Sequence, residues 1–217
     1  MLITTSVYLW ICFSAVFICF AITGNAYATD AQEHIEKAQK YLDSQEPGTA
    51  IIELKNAVQK DPANEQARFL LGKTYLSLRD GASAEKEISR SRDLGLQREQ
   101  WIIPLGQSYL LQGKSKEALE LLQVEPGDSR QLQGQILALY GEAGMLSLQR
   151  DNARSAISQA LELALDDELV LTSATRLALL EGDRDRALHH VDKLLAIAPD
   201  SIDAWVFQGV IYLIVGK

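Results

Sequence analysis

The chain has 217 residues, 47% hydrophobic and 23% charged, with 5 prolines and a net charge of −8. That balance excludes an intrinsically disordered type and leaves enough apolar mass for a sizeable core. The acidic charge without any basic stripe excludes a nucleic-acid partner bound through its phosphates, and an aromatic share of 7% excludes a stacking platform for single strands.

Residues 1–28 stand apart from the rest. Val7 to Ile22 carry no charge and give way to Gly24-Asn25, and Ala26-Tyr27-Ala28 puts small residues at both positions an exporting peptidase reads. This predicts a secretory signal peptide over 1–28, cleaved before Thr29, or an N-terminal membrane anchor if it stays uncleaved. The apolar run is shorter than the ~20 residues of a spanning helix, and no Lys or Arg precedes Lys37. Cys12 and Cys19 both lie in this run, so the mature chain holds no thiol for a disulfide, a metal or a nucleophile. Ile11 and Ile18 precede them, which disfavours acylation because a lipid-modified cysteine follows a small residue.

From there on, a register of 34 residues organises the chain, and Glu65 to Arg98 supplies its template. Apolar residues return every three or four positions on both sides of Arg79-Asp80-Gly81, which reads as two amphipathic helices and a turn. The array occupies 29–217, with repeats over 31–64, 65–98, 99–132, 134–167 and 168–201 and a half repeat over 202–217. Position 20 is Ala50, Ala84, Ala118, Ala153 and Ala187. Position 8 is Ala38, Gly72, Gly106, Gly141, Thr175 and Gly209, and position 24 is Leu54, Ile88, Leu122, Ile157 and Val191. Antiparallel helices approach to ~8 Å only where the crossing carries little side chain, so the small residues at 8 and 20 are expected to face one another. The large aliphatics cannot all be buried in one hairpin, and stacking of neighbours buries them. Pro62 and Pro199 at position 32 stop the second helix.

Two irregularities interrupt the register in the third repeat. Pro104 falls at position 6 of the first helix, which predicts a helix start near Ile102 or Ile103. The second helix is expected to stop early at Glu125-Pro126-Gly127-Asp128, giving a loosened hairpin and a bend in the stack.

Chemistry-bearing clusters are few. His34, His189 and His190 are the only imidazoles and read as solvated surface residues; His189 and His190 project about 100° apart on a helix and do not share a metal. Glu181, Asp183 and Asp185 read as a solvated turn lacking the later Glu of a calcium loop. Gly72-Lys73-Thr74 and Gly113-Lys114-Ser115 lack the earlier glycine of a phosphate loop. No catalytic residue, metal ligand or cofactor site is expected.

Small residues at 8, Tyr at 11 (Tyr41, Tyr75, Tyr109, Tyr212), Ala at 20, aliphatics at 24 and Pro at 32 resemble the tetratricopeptide repeat over 31–217. The resemblance implies an all-α, right-handed superhelical solenoid of antiparallel hairpins behind the signal-peptide helix. The wording of Ala50 to Leu96 and Ile102 to Lys114 further resembles the N-terminal part of the TPR proteins of the PEP-CTERM and exosortase system, envelope proteins of Gram-negative bacteria linked to exopolysaccharide production. Localisation is then expected to be periplasmic or envelope-associated.

In tetratricopeptide arrays the first helices line a concave groove, so the resemblance places Gln32, Ile35, Gln66, Phe69, Lys73, Gln100, Ile103, Gln107, Gln135 and Arg176 as candidate protein-binding residues. Amides there suit the backbone of an extended peptide, and aliphatics hold its side chains. Lys73 and Arg176 are the only basic residues at position 9, which disfavours a clamp for terminal carboxylates. The expected role is a non-catalytic envelope scaffold in exopolysaccharide or PEP-CTERM assembly or export. Alternatives are a general periplasmic helper of outer-membrane biogenesis, or the arm of a longer enzyme such as a glycosyltransferase cut after Lys217. The half repeat would expose Val206, Val210, Leu213 and Ile214, a surface for self-association.

Overall fold

The computed structural model describes residues 30–215, so the expected signal segment lies outside the described residues. Among those described every regular element is helical, and none is long and apolar enough to cross a membrane. A first helix, α1 (30–43), precedes α2 (Pro47–Lys60), α3 (Glu65–Ser77) and α4 (Gly81–Asp93). There follow α5 (Arg98–Leu111), α6 (Ser115–Leu121), α7 (Arg130–Leu146), α8 (Arg150–Leu163), α9 (Glu168–Leu180), α10 (Arg184–Ile197) and α11 (Ile202–Val215). The chain divides into two compact units. One takes the residues up to Leu78 with Lys86–Leu96, the other Arg79–Glu85 with Gln97 onward.

In the first unit Ala38, Ala50, Leu54 and Leu71 form the core, with Tyr41, Leu42, Ile51 and Tyr75 packed around it. Pro47 opens α2, where its missing N–H has no helical partner to lose. Asn64 caps α3 by accepting from the Ala67 N–H at 2.8 Å. A buried ion pair crosses the second hairpin: Arg68 Nη1 donates to Glu87 Oε2 at 2.7 Å, and Arg68 Nε donates to the Pro62 carbonyl at 2.9 Å. His34 and Glu53 occupy the same two register positions one repeat earlier, at 2.6 Å.

In the second unit, buried clusters recur along the helices. Ile102, Leu122, Leu132, Ile136 and Leu139 join α5, α6 and α7. Ala138, Ala160 and Val170 join α7, α8 and α9, and Leu171, Leu194 and Ala204 join α9, α10 and α11. Ser129, Asp167 and Asp183 cap α7, α9 and α10 through their side chains.

The small residue at position 8 lies nearest the aliphatic at position 24, and in the fourth repeat it also meets the backbone of the Ala at position 20, as the sequence suggested. A Cβ on Gly72 would stand 2.5 Å from Ile88 Cγ1, on Gly106 2.8 Å from Leu122 Cδ2, and on Gly141 2.5 Å from Ile157 Cγ1. Helical side chains lean back toward the N-terminus, so a residue one turn beyond position 20 covers the surface opposite it.

Pro104 also departs from expectation, for α5 begins at Arg98 and runs through it. Ile102 and Leu105 on either side are fully buried, and that packing holds the helix across the hydrogen bond proline cannot make. In the same repeat α6 ends at Leu121, earlier than Glu125, and spans 7 residues.

Position 15 of every complete repeat has a left-handed backbone: Gln45 (φ 60°), Arg79 (59°), Gly113 (70°), Leu148 (61°) and Gly182 (74°). At Leu148 the turn is closed by Gln149 N–H to the Gly144 carbonyl at 2.8 Å and Leu148 N–H to the Met145 carbonyl at 3.3 Å. The leucine side chain is 80% exposed, so it gains no packing in return for a conformation costing about 1–2 kcal/mol. Leu148→Gly is therefore expected to raise stability by about 0.5–1 kcal/mol after glycine's own entropy loss, read as a higher urea midpoint; a lower midpoint would contradict it.

Candidate functional site

The candidate binding residues all lie on the first helix of a hairpin. In the first unit Gln32 and Gln66 are exposed, Ile35 is half-buried and Phe69 is buried. The Lys73 ammonium lies 5.7 Å from the Phe69 ring centroid, so these two residues, one helical turn apart, act together. Gln32 Nε2 donates along its own helix to Glu36 at 3.3 Å.

In the second unit Gln100 is exposed on α5, Gln107 is half-buried, and Ile103 packs against the core cluster below it. Gln135 and Arg176 are placed differently from a free ligand-binding pair. Gln135 Nε2 donates to Asp167 Oδ2 at 2.8 Å, and Gln131 donates to the same oxygen at 3.0 Å, so the amides of α7 brace the cap of α9. Arg176 Nη1 donates to Glu142 Oε1 at 2.7 Å and faces Asp203 at 3.6 Å, while its guanidinium lies 5.8 Å from the Phe207 ring centroid. Ser173 adds a 2.6 Å hydrogen bond to Glu142. The side chains of α7, α9 and α11 thus share one polar network. Leu42, Leu110, Met145 and Leu179, at position 12, are half-buried against the cores.

Two charged groups read from sequence as solvated, Glu181 and Asp183, are instead partnered. Glu181 accepts from Arg154 and from Arg186 at 2.7 Å each, and Asp183 caps α10. Lys114 and Gln112 make the equivalent link to Glu85, at 2.6 and 2.7 Å. Burial alone would raise the Glu85 carboxyl, but hydrogen bonds from Lys114 and Gln112 hold it below its ordinary value. No group of three metal-binding side chains occurs among the described residues.

The histidines also depart from expectation. His34 is tied to Glu53, and only His189 is a solvated surface residue. His190 is 7% exposed, with an Nδ1 that has no partner. Its place at position 23 turns it into the hairpin, and adjacency to His189 in sequence concealed that. Burial lowers its pKa from 6.5, and the positive charges of His189, Lys193 and Arg186 add to this against the opposing Asp183. The unfolded chain therefore takes up a proton here before the folded one does. Stability from this site is complete above about 6.5 and falls as pH drops from there through the lowered folded value. The urea midpoint is expected to decline between pH 7 and 5, and less steeply in His190→Leu; parallel curves for the two proteins would refute the assignment.

Residues 41–102 match the family model described as tetratricopeptide repeat. A thermophilic TPR protein of Thermus thermophilus aligns with a TM-score of 0.66 at 20% identity, covering 84% of this chain and 99% of that one. The fold is that of the tetratricopeptide repeat. PilW, described as a widely conserved type IV pilus biogenesis factor, gives a TM-score of 0.62 at 15% identity, covering 86% of each chain. YrrB, described as a TPR protein with an unusual peptide-binding site, gives 0.55 at 21% identity over 88% of this chain and 97% of its own. No curated protein matches by sequence. Of the candidate residues, Gln32, Gln66 and Lys73 in one unit and Gln100 in the other are exposed, and Ile35, Ile103 and Gln107 are half-buried.

Proposed function

We propose that the protein is a non-catalytic protein-binding scaffold of a Gram-negative cell envelope, exported or anchored by residues 1–28 and serving assembly or export linked to exopolysaccharide or PEP-CTERM proteins. The observation that carries the reading is the first-helix surface of each unit, where polar side chains stand beside apolar ones: the exposed Gln66 carboxamide and Lys73 ammonium beside Phe69, the exposed Gln100 and half-buried Gln107 carboxamides beside Ile103. A carboxamide both donates to and accepts from an extended backbone. The expected export signal and the wording of Ala50 to Leu96 and Ile102 to Lys114 support the envelope setting, and the likeness to PilW is in keeping with it.

α11 carries exposed apolar residues. Ile202, Val206 and Leu213 are 78%, 55% and 81% exposed, and nothing lies within 4 Å of a Cβ built on Gly209.

The test is in-cell crosslinking followed by envelope fractionation and capture of the full chain. A small, reproducible set of envelope proteins, reduced by Lys73→Glu with Gln100→Glu, is expected. Recovery in the cytoplasm, or a broad set of unfolded clients insensitive to those changes, would replace this reading with another.

A further inference from the structure

The third repeat departs from the others on the side of its second helix. Whereas α8 and α10 each span 14 residues, α6 spans 7, and the chain from Leu122 to Ser129 is not helical. Between this segment and α8 lies a cleft of about 460 Å³, within the range that binding sites occupy.

The cleft exists because of what stands at two register positions. Positions 4 and 23 hold the pairs His34–Glu53 and Arg68–Glu87 in the first two repeats, but Leu137 and Ala156 in the fourth. An apolar and a small residue leave a floor of Leu122, Leu137, Tyr140 and Ala156 where a charged pair would fill the space. The rim carries Gln123, Asn152, Ser155 and Gln159, all uncharged. In a chain of net charge −8 this lining selects neither an acidic nor a basic ligand.

Val124 lines one wall. Val124 is 42% exposed, and its N–H and C=O make no hydrogen bond to another described residue. The residues beside it are fixed: the Gln123 carbonyl accepts from Arg98 Nη2 at 2.6 Å, and the Glu125 N–H donates to Asp128 Oδ2 at 2.8 Å. The Val124 backbone is therefore held open without a partner of its own.

We propose that this cleft binds an extended, uncharged polypeptide segment as an added strand. The segment pairs its backbone with the Val124 N–H and C=O and seats one aliphatic side chain on Leu122, Leu137 and Ala156. The amide nitrogens of Asn152 and Gln159 donate to Gln149 and Ser155 at 3.1 Å each, so their carbonyl oxygens accept from its opposite backbone edge. The site is separate from the first-helix surface and takes its ligand independently.

The test uses the full chain and a fluorescein-labelled, acetylated and amidated Thr-Val-Thr-Val-Thr peptide, followed by fluorescence polarisation, with maltohexaose as a neutral carbohydrate competitor. Saturable binding is expected. Val124→Pro removes the donor without breaking an internal hydrogen bond, and Ser155→Trp blocks the mouth from an exposed position. Each is expected to weaken binding about tenfold or more, while Lys40→Ala, on an exposed face of α1, leaves it unchanged. Circular dichroism checks the fold, and if Val124→Pro is unfolded then Ser155→Trp decides. No saturable binding, equal affinity in the folded variants, or displacement of the peptide by maltohexaose would overturn the proposal.

Discussion

Glu87→Ala is expected to lower stability by about 3 kcal/mol, because it strands the Arg68 guanidinium inside a hairpin. The Arg68 and Glu87 side chains are 11% and 8% exposed, so water reaches neither well. Removing the carboxylate leaves Arg68 with the Pro62 carbonyl as its remaining partner. Lys86 and Arg90 approach Glu87 at 3.6 Å, and in its absence they add like charge around the guanidinium. Replacing both partners, Arg68→Met with Glu87→Leu, is expected to recover most of the loss, since an apolar pair needs no compensation. Chemical denaturation followed by circular dichroism measures both. A single-variant loss below about 1 kcal/mol would show that the pair is solvated in practice.

Gly141→Val is expected to cost about 3 kcal/mol through overpacking. Its Cβ would stand 2.5 Å from Ile157 Cγ1 and 3.2 Å from the Ala153 carbonyl oxygen, so neither helix can yield without moving backbone. At Gly209, which holds the same register position, a Cβ meets nothing within 4 Å. Gly209→Ala is therefore expected to stabilise by about 0.5–1 kcal/mol through helix propensity alone. Opposite signs at equivalent positions isolate the effect of the covering aliphatic. Ile157→Ala in the Gly141→Val background should restore part of the loss; no recovery would place the clash elsewhere.

The helices and their hairpin pairing were legible because position 24 aliphatics and position 20 alanines recur at a constant period, and each complete repeat obeys it. What that period could not reveal were relations between side chains of adjacent helices. Ile88 over Gly72 depends on the backward lean of helical side chains, which spacing alone does not encode. The Arg68–Glu87 pair was visible only as two charges 19 residues apart on faces otherwise apolar. Pro104 misled in the other direction: a local rule placed the helix start, and burial of Ile102 and Leu105 overrode it.

Among the candidate binding residues, Gln135 and Arg176 carried the right chemistry on the right helices, but Asp167, Glu142 and Asp203 already engage them. The signal for this was present, since acidic residues precede or follow each by about one repeat.

Helix α6 has a consequence for how the second unit moves. A segment of 7 residues closes few helical turns and is far below the length at which a helix persists on its own. Its amide protons therefore rely on Ala118 and Leu122 staying docked on the α5–α7 cluster. Local opening there frees α6 while the longer helices stay folded, so hydrogen exchange in this unit should start from an interior repeat.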